Sequence, residues 1–319
     1  MSAASLNPIL KSVSRSFYLS LRFLPPEVRK PISIAYLLAR ASDTIADSCS
    51  NPPDELLATL KCFQQLLEDK PDAGAIATIQ TTIKPDHLGE QALLDALPEC
   101  LEHFHKLKPS DRKLTLQVMR HIIEGQSDDL QVFAAKGECT ALPDAAALEH
   151  YTYCVAGSVG EFWTRVCLSH FPKYSTIPDD DLLKLAVSFG KVLQLVNILR
   201  DLPEDLKNGR CYLPADELKA AGVEPGELME KATTAQPVFD RWLARAEALL
   251  IDTAAYINAI RQRRVRFACA VPYLLAVSTL QLLRQQSPLQ TTHRLKVPRS
   301  KVRQVVARSA FSAFFGRKV

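Results

Sequence analysis

Glycine is scarce in this sequence, and so is the alternation of polar and apolar residues that predicts β-strands. The 319 residues include only 11 glycines, while amphipathic runs rich in leucine and alanine occur along most of the chain. Hydrophobic residues make up 47% of the composition, which is enough for one large core. The sequence therefore predicts an all-α protein.

The chain also lacks paired cysteines, a signal-like apolar N-terminus and any run of about 18 uncharged apolar residues. Its eight cysteines are scattered and form no CxxC pair, so the pattern indicates neither a zinc site nor a disulfide framework. These absences favour a reduced, cytoplasmic protein with buried thiols.

Acidic side chains are missing from residue 261 onward, although the net charge of the whole chain is only +4. Residues 291–319 combine basic side chains with apolar residues at near-helical spacing, which predicts a basic amphipathic tail after a single all-α domain at 1–290. Such a tail suits peripheral contact with the inner face of an anionic membrane, and a solvated or disordered tail fits the composition equally well. Nucleic-acid binding is not expected, because no recognition fold accompanies the basic residues. The oligomeric state is left open.

Turn and capping signals divide the chain into helices, with loops predicted at 70–88 and 137–143. The predicted helices span residues 5–20, 27–48, 54–68, 88–107, 110–133, 144–171, 179–206, 215–221, 226–256 and 262–286.

Two of the apolar helical runs end in a pair of aspartates four residues apart. Asp43 and Asp47 form the first pair, and Asp201 and Asp205 form the second. On a helix, this spacing puts both carboxylates on one face. Two such pairs facing each other across a helical bundle would bind hard divalent cations such as Mg²⁺, which prefers carboxylates, waters and phosphate oxygens.

Arginines beside both pairs extend this chemistry to a diphosphate. Arg40, Arg200 and Arg210 are close in sequence to the aspartates and could grip phosphate oxygens in bidentate fashion. Further donors would come from the first helix, through Ser14, Arg15 and Ser16. Metal and arginine together would neutralise a leaving diphosphate, so that the C–O bond of an allylic diphosphate could ionise.

A carbocation left by this ionisation needs a dry, apolar pocket without a strong nucleophile. The aromatic candidates for its lining, each of which also fits ordinary core, are Phe17, Tyr36, Phe133, Tyr151, Tyr153 and Tyr273. Small residues between 156 and 160 leave a groove on one helix face, which fits either an apolar ligand or close helix packing. Pro203 lies between the second pair of aspartates and predicts a kinked helix end there.

Several separate motifs resemble the squalene/phytoene synthase family, in the right order and with family-like spacing across residues 5–285. They are SRSF at 14–17, YLLARASDTIAD at 36–47, YCVAGSVG at 153–160, NILRDLPED at 197–205 and NGRCYLP at 208–214. The resemblance implies an all-α isoprenoid-synthase fold, with a helical bundle around a central cavity. It also implies Mg²⁺-dependent head-to-head (1′–1) joining of two prenyl diphosphates through a cyclopropyl diphosphate intermediate.

The resemblance also assigns roles to individual residues. The implied metal ligands are Asp43, Asp47, Asn197, Asp201 and Asp205. The implied catalytic residues are the four aspartates together with Tyr36 and Tyr153. The implied substrate-binding residues are Ser14, Arg15, Ser16, Phe17, Arg40, Gln194, Asn197, Arg200 and Arg210.

Within the family, the stretch CAVPYLLAVSTL at 269–280 looks like the corresponding stretch of squalene synthases of the eukaryotic type. Those enzymes join two farnesyl diphosphates and reduce the cyclopropyl intermediate to squalene with NADPH. Cys154 and Ala46 depart from their usual tyrosine and acidic residue, and we expect no counterpart of their C-terminal membrane anchor. The Tyr-Leu-Pro at 212–214 is more like phytoene synthases.

The first expectation is therefore a squalene synthase that acts on farnesyl diphosphate with Mg²⁺ and NADPH. Phytoene or dehydrosqualene synthase without the reductive step is the alternative within the family, as is a partial enzyme that stops at presqualene diphosphate or yields hydroxysqualene. A non-catalytic helical assembly factor with the same fold is a third reading. The four aspartates with Arg40 and Arg200 argue against it, because a pseudo-enzyme is expected to have lost at least one of them.

Overall fold

A computed structural model describes residues 6–14, 17–48, 50–69, 71–134, 138–291 and 294–315. Within these residues, the only strands are the two-residue segments β1 (Thr140–Ala141) and β2 (Arg210–Cys211), which pair in parallel. All other regular structure is helical, so the all-α prediction is confirmed.

The described residues form two compact units, one within 1–131 and 162–172 and the other within 132–161 and 173–319. The first unit contains α1 (Asn7–Ser14), α2 (Phe17–Phe23), α3 (Pro26–Ala46), α4 (Pro53–Glu68), α5 (Ala73–Thr82), α6 (Leu88–Asp95) and α7 (Leu97–His105), and α8 (Pro109–Val132) ends at its boundary. The second contains α9 (Ala145–Thr152), α11 (Asp179–Lys207), α12 (Ala215–Ala220), α13 (Ala232–Ala259), α14 (Arg263–Gln285) and α15 (Arg299–Phe315). Helix α10 (Ser158–His170) begins in the second unit and ends in the first. The predicted division at residue 290 stays a prediction.

Helix α3 carries the first aspartate pair, and its sequence explains both its start and its buried face. Pro26 opens the first turn, where its missing N–H costs no hydrogen bond. Val28, Leu38 and Ile45 are fully buried, and each contributes about 1.5–3 kcal/mol through removal of apolar surface from water. The helix therefore has a fixed orientation within its unit, and the residues at its C-terminal end are held by that core.

Helix α11 carries the second aspartate pair and contacts most other elements of its unit, including α13, α14 and the segment 153–157. Three acidic residues at 179–181 occupy its first turn, where the helix dipole favours negative charge. The helix continues through Pro203 and ends at Lys207, so Asp201 and Asp205 both have helical backbone.

The backbone of 156–160 touches α11 directly. A Cβ atom added to Gly190 would lie 2.0 Å from the Ala156 carbonyl oxygen, and one added to Gly160 would lie 2.0 Å from the Ala186 carbonyl oxygen. Of the two roles considered for the small residues at 156–160, an apolar groove or close helix packing, the structure supports close packing at this crossing. The contact adjoins a π-helical turn at Tyr153–Gly157, which interrupts the helix predicted over 144–171.

Other predicted boundaries were wrong for identifiable reasons. The predicted loop at 70–88 contains α5, which Asp72 caps by accepting a hydrogen bond from the Ala75 backbone N–H at 2.6 Å. The single helix predicted over 88–107 is divided near Pro98, at the start of α7. The helix predicted from residue 226 begins at Ala232, after a 3₁₀ turn at Pro225–Glu227.

Two helices of the described part are long and apolar enough to cross a membrane, judged by length and composition alone. They are Asp179–Lys207 and Arg263–Gln285, whose most apolar windows have mean hydropathies of 1.6 and 1.5. About half of each window, 50% and 56%, is buried inside the protein. Core helices often meet the same criteria, so this is weak evidence for a membrane span.

The cysteines in the described part agree with the expectation of reduced, largely buried thiols. Those at 62, 100, 139 and 211 are free, and those at 100, 154, 167, 211 and 269 are buried. Burial raises the pKa of Cys100 and of Cys211 to about 12, so both thiols stay protonated.

Replacing Gly190 with alanine should destabilise the protein by about 3 kcal/mol or more, because the new methyl group would overlap the Ala156 carbonyl. The matched control is Gly226→Ala, where the nearest side-chain atom would be 3.8 Å away, an ordinary contact. Chemical denaturation of both variants would measure the difference. Equal stabilities would show that the close crossing is not a packing constraint.

Candidate active site

The first aspartate pair lies at the C-terminal end of α3. Asp43 has helical backbone, and Asp47 is the residue that follows the helix, with its N–H donating to the Asp43 carbonyl at 2.8 Å. The Asp43 side chain is partly buried and Asp47 is exposed. The backbone therefore places Asp43 and Asp47 one turn apart, as predicted.

Two side chains, those of Gln126 and Arg40, contact the Asp43 carboxylate. The Gln126 Nε2 on α8 donates to Asp43 Oδ1 at 2.5 Å, and Arg40 Nη1 lies 3.4 Å from Oδ2. A second carboxylate, Glu90 on α6, pairs with Arg40 Nη2. The two oxygens of Asp43 thus have different partners, one neutral and one cationic.

Electrostatics at this pair reflect burial and crowding of acidic groups. Burial, and then the neighbouring Asp47 carboxylate, raise the pKa of Asp43 to about 6. The burial is partial, because 42% of the side-chain area of Asp43 is exposed. Arg40 and the hydrogen bond from Gln126 oppose this increase. Burial lowers the pKa of Arg40, but Asp43 and Glu90 outweigh it and raise the pKa above its usual value.

Two predicted aromatic residues are brought together in the first unit. Phe17 stacks on Tyr36 with ring centroids 5.6 Å apart, and Trp163 lies 6.2 Å from Phe17. The Tyr36 hydroxyl is 3.4 Å from the Val13 carbonyl. The nearby Ser14 is buried and donates to the Leu10 carbonyl of its own helix, while Arg15 and Ser16 lie outside the described residues.

Asp201, in the second pair, is held by two guanidinium groups. Arg200 binds it in bidentate fashion, with Nε and Nη2 each 2.7 Å from a carboxylate oxygen. Arg294, from the segment before α15, places Nε 2.6 Å from Asp201 Oδ1. The sequence predicted the neighbouring arginine but not the distant one.

The remaining predicted polar residues of this unit lie on and just after α11. Asn197 Nδ2 is 3.5 Å from Gln194 Oε1, and the spacing of both to Asp201 places them on one helix face. Arg210 lies in β2, directly after Gly209, whose φ of +76° forms the turn that Asn208-Gly209 predicts. Asp205 is partly buried one turn beyond Asp201.

Aromatic residues of the second unit gather at Tyr212, which the sequence did not single out. Tyr151 stacks on Tyr212 at 5.0 Å, and Phe133 meets it edge-on at 5.3 Å. Tyr153, in the π-helical turn, places its hydroxyl 3.4 Å from Glu161 Oε2. Tyr273 on α14 is partly buried, which raises the pKa of its hydroxyl.

The two units therefore present two similar constellations, each with an aspartate pair beside an arginine. Whether the two pairs face each other stays a prediction, as does the central cavity. The residues that sequence reasoning left without a role are Glu90, Gln126, Trp163, Tyr212 and Arg294. The polar run at 125–129 within α8 was the available signal for Gln126.

The donor set at the first pair fits a hard cation. Asp43 and Asp47 supply carboxylate oxygens, which Mg²⁺ prefers over nitrogen or sulfur ligands. The Oε1 atom of Gln126 is buried and has no hydrogen-bond partner among the described residues. An unpaired oxygen beside carboxylates is what a hydrated cation would satisfy.

Solved structures with the same fold include TcSQS in complex with the ligand BPH1237. It is 22% identical, with a TM-score of 0.80 over 98% of this chain and 88% of that one. A dehydrosqualene synthase in complex with a ligand is 24% identical, with a TM-score of 0.66 over 96% and 94% of the two chains. These likenesses establish the isoprenoid-synthase type of all-α fold.

The sequence profile described as squalene/phytoene synthase matches residues 10–301, and the chain belongs to this family. Among curated relatives, squalene synthase ERG9 of Saccharomyces cerevisiae is 28% identical over 279 residues, which cover 86% of this chain. The chain spans about 60% of the length of that relative.

The raised pKa of Asp43 predicts a pH-dependent stability effect. The folded protein holds the proton of the Asp43 carboxyl more tightly than the unfolded chain does. The stability of the fold therefore decreases as pH rises from the ordinary aspartate pKa toward about 6. Asp43→Asn removes this cost and can still accept the Gln126 hydrogen bond. We expect its Tm gain at about pH 8 to exceed that at about pH 4.5 by about 2 °C, a value that allows for solvent screening.

Thermal unfolding at both pH values would measure this difference, with Asp95→Asn, an exposed carboxylate on α6, as the matched control. A gain that is equal at the two pH values, or larger at the acidic one, would contradict the assignment.

Proposed function

We propose that this protein joins two farnesyl diphosphates head-to-head (1′–1) to presqualene diphosphate and then reduces this product to squalene with NADPH. The observation that carries the proposal is the aspartate pair with an attached arginine in each unit, Arg40 with Asp43 and Arg200 with Asp201. Membership of the squalene/phytoene synthase family and the likeness to squalene synthases support it.

Magnesium would be held by carboxylate and amide oxygens of the two motifs, from Asp43, Asp47, Asn197, Asp201 and Asp205. When bound, it neutralises the negative charge of the leaving diphosphate. The described donors are all oxygen, as this ion requires.

The protein's own residues bind the diphosphate and protect the cation that its departure leaves. Arg40, Arg200 and Arg210 hold phosphate oxygens, because guanidinium groups match their geometry. In the first half-reaction, the C–O bond of one substrate breaks and its electron pair leaves with diphosphate. The allylic cation joins the second substrate, and loss of one proton closes the cyclopropane ring.

Aromatic faces suit this chemistry, since their π-electrons stabilise positive charge without supplying a nucleophile. The Phe17–Tyr36 stack and the Tyr151–Tyr212 stack are the described groups of this kind. NADPH, when bound, would supply the hydride for the second half-reaction, in which the second diphosphate would leave to give squalene and NADP⁺.

A non-reductive product is the second candidate, and particular residues favour it. Cys154 and Ala46 depart from the squalene synthase pattern, and Tyr-Leu-Pro at 212–214 is more like phytoene synthases. The second candidate is thus dehydrosqualene or phytoene, or release of presqualene diphosphate itself.

A product assay separates these functions. Purified protein is incubated with farnesyl diphosphate and Mg²⁺, with and without NADPH, and the products are identified by mass spectrometry. Squalene that forms only with NADPH supports the first proposal. Dehydrosqualene, or presqualene diphosphate that NADPH leaves unchanged, supports the second, and no turnover with farnesyl or geranylgeranyl diphosphate contradicts both.

Asp201→Asn should lower product formation at least about 100-fold, because it removes a charge that the reaction needs at the diphosphate. Its fold should be retained, since Asp201, Arg200 and Arg294 are all partly exposed. Asp181→Asn, at an exposed residue of the same helix, is the matched control and should keep activity. Full activity of Asp201→Asn with an unchanged circular dichroism spectrum would contradict the role of the second pair.

We further propose that the basic tail makes peripheral contact with an anionic membrane, where a product as apolar as squalene must go. In α15, Val305 and Ser309 are buried and the helix packs on α14. Lys301 and Arg303, on different sides of this helix, are both exposed.

Changing Lys301 and Arg303 together to glutamine should weaken binding to vesicles of anionic phospholipid by about 10- to 30-fold. Co-sedimentation would measure it, with Lys184→Gln plus Lys231→Gln as a control that removes the same charge elsewhere. Equal binding of both double variants would reject the tail as the membrane contact.

A further inference from the structure

Gln126 is a buried residue of α8 that contacts the first aspartate pair from a distance of 83 residues along the chain. Only 7% of its surface is exposed, and its Nε2 donates to Asp43 Oδ1 at 2.5 Å. Both residues belong to the first unit. The contact therefore fixes one oxygen of the carboxylate from a second helix.

The other end of the same amide has no partner. Gln126 Oε1 is buried and accepts no hydrogen bond from any described residue. Native proteins leave few buried polar atoms unsatisfied, so such an atom calls for a specific donor or cation. Because both amide atoms are bonded to one carbon, this oxygen lies within a few ångströms of the Asp43 carboxylate.

The orientation of the amide follows from its neighbour. An ionised carboxylate only accepts hydrogen bonds, so the NH₂ group must face Asp43 and the oxygen must face away from it. A glutamine also suits this place better than a third acidic residue. It adds an oxygen without adding negative charge beside Asp43 and Asp47, which already repel each other.

We propose that Gln126 is a further residue of the first cation site. Its amide N–H positions Asp43, and its buried carbonyl oxygen accepts a hydrogen bond from water bound to the cation. This inference rests on the proposed function, which requires a divalent cation at Asp43 and Asp47. Partners of this kind orient the metal ligands and strengthen binding without being ligands themselves.

A structural role is the competing explanation, in which Gln126 only ties α8 to α3. Such a tie would affect folding stability when it is lost, and would leave intact the affinity of the folded protein for a cation. Cation affinity therefore distinguishes the two roles, provided that folding is measured in parallel.

Titration of the full chain with Mn²⁺, followed by electron paramagnetic resonance, measures this affinity directly, and Mn²⁺ favours oxygen ligands as Mg²⁺ does. Gln126→Met keeps the side-chain length but removes both polar atoms, and should weaken Mn²⁺ binding about 10- to 100-fold. The matched control is Gln80→Met. Gln80 is a partly buried glutamine of the same unit that donates to the Leu94 carbonyl at 2.8 Å, and its substitution should leave the affinity unchanged.

Gln126→Glu tests the carbonyl oxygen by itself. It keeps an acceptor at this place but loses the donor that positions Asp43, so Mn²⁺ affinity should fall between that of the unsubstituted protein and that of Gln126→Met. An affinity as low as that of Gln126→Met would show that the oxygen does not face the cation, and would overturn this half of the proposal. Gln126→Glu also keeps the test open if the methionine variant fails to fold.

Failure of the inference differs from failure of the proposed function. If the unsubstituted protein binds Mn²⁺, Asp43→Asn abolishes this binding and Gln126→Met leaves it unchanged, only the role of Gln126 is overturned. If the unsubstituted protein and Asp43→Asn bind Mn²⁺ equally, the cation site at the first pair is itself rejected, and the inference fails with it.

Discussion

The pairing of an aspartate with a neighbouring arginine is the interaction on which the two candidate constellations depend. In the first constellation, burial raises the pKa of Asp43, and repulsion from the neighbouring Asp47 carboxylate raises it further. The chain offsets the repulsion with arginines of its own. Arg40 pairs with Asp43, and Arg200 pairs with Asp201, so each motif contains its own counter-charge.

Such a motif needs rigid support, because a carboxylate that can turn away relieves its repulsion without binding anything. In the first unit this support comes from neighbouring helices, through Glu90 on Arg40 and Gln126 on Asp43. In the second unit, the backbone crossing at Gly160 and Gly190 fixes α11 against the π-helical turn. The site residues are therefore held by elements far from them in sequence.

The sequence predicted the elements whose signals are local. Helices α3 and α11 have long apolar faces and begin after prolines, so their aspartates could be placed on one face. The contacts of Gln126 with Asp43 and of Arg294 with Asp201 could not be predicted. Each joins residues that are far apart in sequence, so it depends on which segments pack together, and no local pattern indicates that. Helix α5 was missed because its signal is mainly one capping aspartate. The π-helical turn leaves helical periodicity on both sides almost unchanged.

The two guanidinium groups on Asp201 have a consequence for how the protein is made. In zinc fingers, metal binding supplies the free energy of folding, and the chain without metal is unfolded. Here, Arg200 and Arg294 already satisfy the acidic group of the second motif with protein atoms. Folding of the chain therefore needs no ion to compensate the charge of Asp201.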